Sequence, residues 1–287
     1  MTKPTLRHPS SELPRSRGLA ELLSAPAPLP SRLDVSLRRV LATRIATRAP
    51  GRHLGSLRLD SYRLLESTEA PTGRGSAFSW SPRTARRLIG LAAARQVVCG
   101  RALSPLAAVI TELEGAIERA SRARTRPGAL GAWLAEAPGG LRGAVIAEAT
   151  SYATDVVTLI DPSLILETVE VGRPDPIWAV PGAPWVSLKG RRDLEVTLDG
   201  VTRARALVAI RSGRPSSRSV DDLGFVALAD ALTRPAEPMA TRVVGVWPGC
   251  GRSLSLEVDA ESMRRAARLV VGAVETHARR GRLVTAA

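Results

Sequence analysis

The stretch from Trp185 to Pro215 limits what this chain can fold into more than any other, because successive segments of it follow different periodicities. In Asp193-Leu194-Glu195-Val196-Thr197-Leu198, polar and apolar residues alternate. A period of two places Asp193, Glu195 and Thr197 on one face of a strand and the apolar three on the other. Asp199-Gly200 follows as a hairpin turn signal. The next run, Ala204-Arg205-Ala206-Leu207-Val208-Ala209-Ile210, is almost wholly apolar, so it reads as a strand covered on both faces. Arg211-Ser212-Gly213-Arg214-Pro215 ends the pairing, since glycine and proline interrupt a sheet. With the segment starting at Trp185, three short strands in succession are predicted.

Around this stretch the spacing is helical. Ser36 to Ile45 has apolar residues at 37, 40, 41 and 45, with Arg38, Arg39 and Arg44 on its other face. Ser81-Pro82 opens a helix that stops at Gly100, with serine as cap and proline at the first helical position. Further helices are predicted over 105–122 and 141–160, and a last one over 260–279 that turns Met263, Ala266, Ala267, Val270 and Val274 inward. Ser219-Val220-Asp221-Asp222 has the form of a capping box, and capping alone would account for Asp222. Two further strands are predicted on either side of Pro248-Gly249. The region from Leu57 to Leu65 fits a strand or a short helix. Residues 1–33 read as a Pro/Arg-rich arm, because prolines at 26, 28 and 30 oppose any longer element. The division is then an arm over 1–33, a mainly helical region over 34–135, and an α/β domain over 136–287.

Composition narrows the function classes. No apolar run reaches the ~18 to 20 residues that span a bilayer. The first residues lack the apolar core of a secretory leader, so a cytoplasmic, membrane-free protein is expected. Cys99 and Cys250 are isolated, and the three histidines are scattered without ligand spacing, which removes disulfide, zinc and iron–sulfur frameworks. No phosphate-binding loop of a nucleotide motor is present. The net charge is +14, and among 41 basic residues only Lys3 and Lys189 are lysines. A strongly basic chain is a candidate partner for nucleic acid. The charge is dispersed, with no tail of consecutive basic residues.

An acid on one strand and a charged residue at the end of its buried neighbour suit a metal-dependent phosphodiesterase. The pattern Gly-Arg-x-Asp, a hairpin, apolar-x-Ile-basic-Ser-Gly-x-Pro, then Asp-Leu-x-x-x-Ala-Leu resembles the PD-(D/E)XK nuclease superfamily, in its RecB-like exonuclease branch. The resemblance spans roughly Gly140 to Gly281. It implies a restriction-endonuclease-like core, a central mixed sheet flanked by helices, with a helical N-terminal extension. It also implies Mg²⁺ held by the acid at Asp193, helped by an acid from the preceding helix at the place of Glu148. Asp222 falls where the family has Gln or Asp. The paired (D/E)-x-K residues fall at Ala209 and Arg211. Alanine has no oxygen for a hard cation, and arginine does not replace a compact ammonium.

Three readings follow. In the first, the site is degenerate and the chain binds nucleic acid, DNA in the first place, or a nucleoprotein partner such as a helicase or ATPase chain. In the second, the enzyme is active with Mg²⁺ because Glu195, on the same face as Asp193, replaces the missing acid, with Arg211 balancing phosphate charge. In the third, the chain is an adaptor whose basic surface meets an acidic protein. Asp193 and Ala209 are expected on adjacent strands, facing a pocket under the helix over 141–160. Ala209→Glu with Arg211→Lys would then supply the two missing groups.

Overall fold

The structure, a computed structural model, describes residues 31–49, 51, 56–60, 80–122, 129–160, 169–170, 177–197 and 204–285. Most of the arm predicted over 1–33 and the turn at Asp199-Gly200 lie outside the described residues. The described chain runs α1 (Val35–Arg48), β1 (Leu57–Leu59), α2 (Pro82–Val98), α3 (Pro105–Arg122), α4 (Leu130–Glu136) and α5 (Gly139–Ile160). It continues with β2 (Val169–Glu170), β3 (Ile177–Val180), β4 (Ala183–Lys189), β5 (Leu194–Thr197) and β6 (Arg205–Ile210). Then come α6 (Ser219–Thr233), β7 (Arg242–Trp247), β8 (Arg252–Glu257) and α7 (Ala260–Thr285). The class is α/β, as the sequence predicts. Among the described residues no helix is long and apolar enough to cross a membrane.

Two sheets form. The larger has the order β2-β5-β6-β7-β8 and is mixed: β6 and β7 are parallel and the other neighbours antiparallel. The parallel pair is joined through α6, the crossover that parallel strands require. The smaller has the order β1-β4-β3. The three strands expected in succession from Trp185 are therefore divided. β4 belongs to the small sheet, and the chain changes sheets between Lys189 and Leu194.

The apolar run at 204–210 does what its composition requires. Val208 and Ile210 join one core with the buried residues of α2, α3 and α5. Leu207 and Ala209 join the other, with α1, α6, α7 and the small sheet. Helices from 34–135 thus share both cores with elements from 136–287. Helix α6 is buried nearly all round, which its run of Leu, Val, Ala and Phe allows. Predicted boundaries hold closely elsewhere. Ser81 caps α2 in a capping box closed by Thr84, and all five residues named for the inner face of α7 are buried.

The capping box predicted at Ser219 does not form. Arg218 precedes the first turn of α6 and no side chain caps it. The Ser219 hydroxyl accepts from the Ser216 amide, and Asp222 is taken by an arginine. A guanidinium within reach outcompetes a cap because a charge-assisted bidentate pair is the stronger bond.

Candidate functional site

The site is built at the end of β6, where strand, loop and two helices converge. Asp193 lies at a bend before β5, and its amide donates to Val208 O at 2.8 Å. Its carboxylate is fully buried and accepts from the Ile210 amide at 2.6 Å. Arg95, near the end of α2, reaches its other oxygen at 2.5 Å, and Arg191 Nε lies 3.6 Å from it. One residue past β6, Arg211 donates to Asp222 through Nε at 2.6 Å and Nη2 at 3.2 Å, and contacts the Arg191 carbonyl at 3.5 Å. Two of the carboxylates that the sequence marks, Asp193 and Asp222, are therefore each occupied by a guanidinium.

Helix α2 can deliver its arginines here because it crosses α5 at a glycine. A Cβ on Gly90 would stand 2.7 Å from Ala149 O and 2.9 Å from Tyr152 Cδ1. That close approach brings Arg87 beside the cluster. Burial pushes Arg87 below the usual guanidinium range, and the positive charges of Arg191 and Arg211 act the same way. Tyr152, one turn after Glu148 on α5, has its phenol pushed up, first by burial and further by Asp193. Of the four buried side-chain polar atoms that find no hydrogen-bond partner among the described residues, two, Arg95 Nε and the Tyr152 hydroxyl, belong to this region. Four guanidiniums (Arg87, Arg95, Arg191, Arg211) thus surround two carboxylates, leaving an excess of positive charge on a partly buried surface.

The remaining predicted residues go elsewhere. Glu148 pairs with Arg86 at 3.2 Å, and both side chains are about two-fifths exposed. Glu195 is not brought to Asp193. It accepts from Arg205 at 2.7 Å and from both Arg234 nitrogens at 3.0 and 2.8 Å. Asp230 on α6 joins this second cluster through Arg192, Arg205 and Arg234. Burial pushes Glu195 up, but the bonds from Arg234 and Arg205 outweigh it and bring its pKa to about 2. Asp230 is the reverse: burial outweighs the three guanidiniums and raises it. This cluster ties the β5–β6 pair to α6, and its charges are consumed internally.

Ala209 corrects one expectation. It is fully buried and packs in the core of α6 and α7, whereas α5 covers the other face of the sheet. It does not face a pocket beneath α5, because its strand neighbours Val208 and Ile210 are the ones that point that way. A glutamate at 209 would enter an apolar core, and Arg211→Lys would break the bidentate pair with Asp222.

The donor set does not suit Mg²⁺. Asp193 spends its oxygens on an amide and two guanidiniums, Ala209 offers none, and Glu148 and Glu195 are committed to arginines. No group of three or more metal-ligating side chains occurs among the described residues. The arrangement is equipped to hold an anion. The residues that make it so, Arg87, Arg95 and Tyr152, carried no sequence signal, since Arg95 and Asp193 are 98 positions apart. Arg191 did have one, inside the Gly-Arg-x-Asp pattern. No protein-family model, curated protein or solved structure matches the chain.

Proposed function

We propose that this chain is a nuclease-like protein that binds the phosphate backbone of nucleic acid, DNA in the first place, without hydrolysing it. The observation that carries the reading is the strand-end cluster. Guanidiniums fill the place where the family resemblance puts a cation, and they outnumber the carboxylates there by two. An arginine fork matches phosphate oxygens in pairs, and a phosphate entering the cluster also offers acceptors to Arg95 Nε and Tyr152. The mixed sheet with helices on both faces supports the same family reading. The alternative in which Glu195 restores catalysis draws no support, because three arginines hold that carboxylate on the α6 side. Binding here needs no Mg²⁺ and reads no bases, since no base-reading element among the described residues adjoins the cluster.

Incubation of the full chain with supercoiled plasmid and Mg²⁺ tests the absence of hydrolysis. The plasmid should remain supercoiled at protein excess. Conversion to nicked or linear form that disappears with Asp193→Ala would overturn the proposal and restore the metal-dependent enzyme.

A further inference from the structure

A second surface, remote in composition from the strand-end cluster, has the shape of a helix-binding groove. Helices α1 and α7 lie side by side and in the same direction: Arg48 pairs with Glu275 at one end, and Arg264 acts on Asp34 at the other. Between them is a cavity of about 210 Å³. Its floor is Leu37, Val40, Leu41, Ala267 and Val271, and its rim is Arg44, Arg264 and Arg268. The lining repeats at three and four residues on both helices, over two turns, or about 10 Å. Val40 is 47% exposed. A side chain with no use in the fold is thereby left on an apolar surface edged with cations.

The volume lies below the ~300 to 1,000 Å³ of sites that enclose a small molecule. Two parallel ridges with a two-turn furrow instead match the seat of a third helix, whose anchors recur at i, i+3, i+4 and i+7. The rim selects its charge. Arg44, Arg264 and Arg268 are exposed, and Arg44 and Arg268 make no ion pair with a described residue. The chain's own residues 1–30 are a poor complement, since Lys3, Arg7, Arg15 and Arg17 outnumber Glu12 and Glu21. An apolar floor is equally poor for nucleic acid. We infer that the α1–α7 groove docks an acidic amphipathic helix of a partner protein, its apolar anchors on Val40 and Val271 and its carboxylates on the three arginines.

The probe is a fluorescein-labelled three-turn peptide with leucine at i, i+3, i+4 and i+7 and glutamate at the flanking positions. Its anisotropy is followed on titration with the full chain. Saturable binding is expected, at least tenfold tighter than that of the same peptide with lysine flanks. Two surface variants, Val40→Asp and the pair Arg44→Glu with Arg268→Glu, should each weaken it tenfold or more while keeping the native circular dichroism. Binding that neither variant alters would overturn the inference, as would equal affinity for both peptides. Sedimentation velocity on the chain alone covers another occupant: a dimer dissociated by Val40→Asp would assign the groove to a second copy and likewise overturn it.

Discussion

At the scale of single residues, two adjacent arginines divide the molecule's polar interior. The Arg191 side chain goes to Asp193, with its carbonyl accepting from Arg211, and Arg192 goes to Glu195 and Asp230. Alternation was legible, as were the acids themselves. Which guanidinium each acid would meet was not, since the pairing depends on contacts between distant segments. The position of Ala209 carries a prediction that reverses the sequence expectation. Ala209→Glu should lower stability by several kcal/mol, because a carboxylate enters a core without a partner. Mg²⁺ should not restore the melting temperature, which differential scanning calorimetry with and without the cation will report. Glu195 carries a second. Its folded pKa of about 2 lies below the ~4.3 of an unfolded glutamate. Its contribution is therefore complete above that unfolded value and is lost as pH falls through about 2. Glu195→Gln should cost about 3 kcal/mol at neutral pH. The gap between native and variant urea midpoints should narrow steadily below pH ~4; a gap independent of pH would contradict this role.

At the scale of elements, helices with strong stop signals and a sustained apolar stripe were readable to within a few residues. Strand partners were less so. β4 alternates as β5 does yet pairs with β1, more than a hundred positions earlier, because sheet membership is set by tertiary contact and not by alternation. The crossing of α2 and α5 was also invisible, since the glycine that permits it looks like any helix-weakening glycine. Its test is a contrast in sign. Gly90→Ala should destabilise by about 1–3 kcal/mol by forcing the helices apart. Gly143→Ala, on α5 itself but exposed with nothing near its Cβ, should stabilise by up to about 1 kcal/mol. Thermal melts of the two single variants decide it.

At the scale of the whole molecule, a charge of +14 gives a field that attracts polyanions, but a field alone has no address. In the proposed function the strand-end cluster supplies one. It concentrates four guanidiniums where two helices and a sheet end meet, and it leaves buried donors without partners. Dispersed charge and localised cluster predict different behaviour on mutation, and a single experiment separates them. Fluorescence anisotropy of a labelled duplex, in EDTA at roughly 50 and 200 mM salt, is compared for the native chain and the double variant Arg87→Gln, Arg191→Gln. Native affinity should fall steeply with salt. The variant should bind more weakly at low salt, with a log–log salt slope shallower by about 2, near the ~0.9 expected for each phosphate contact removed. Absence of native binding at low salt, or identical slopes for the two proteins, would contradict the claim that this cluster is where the chain holds phosphate.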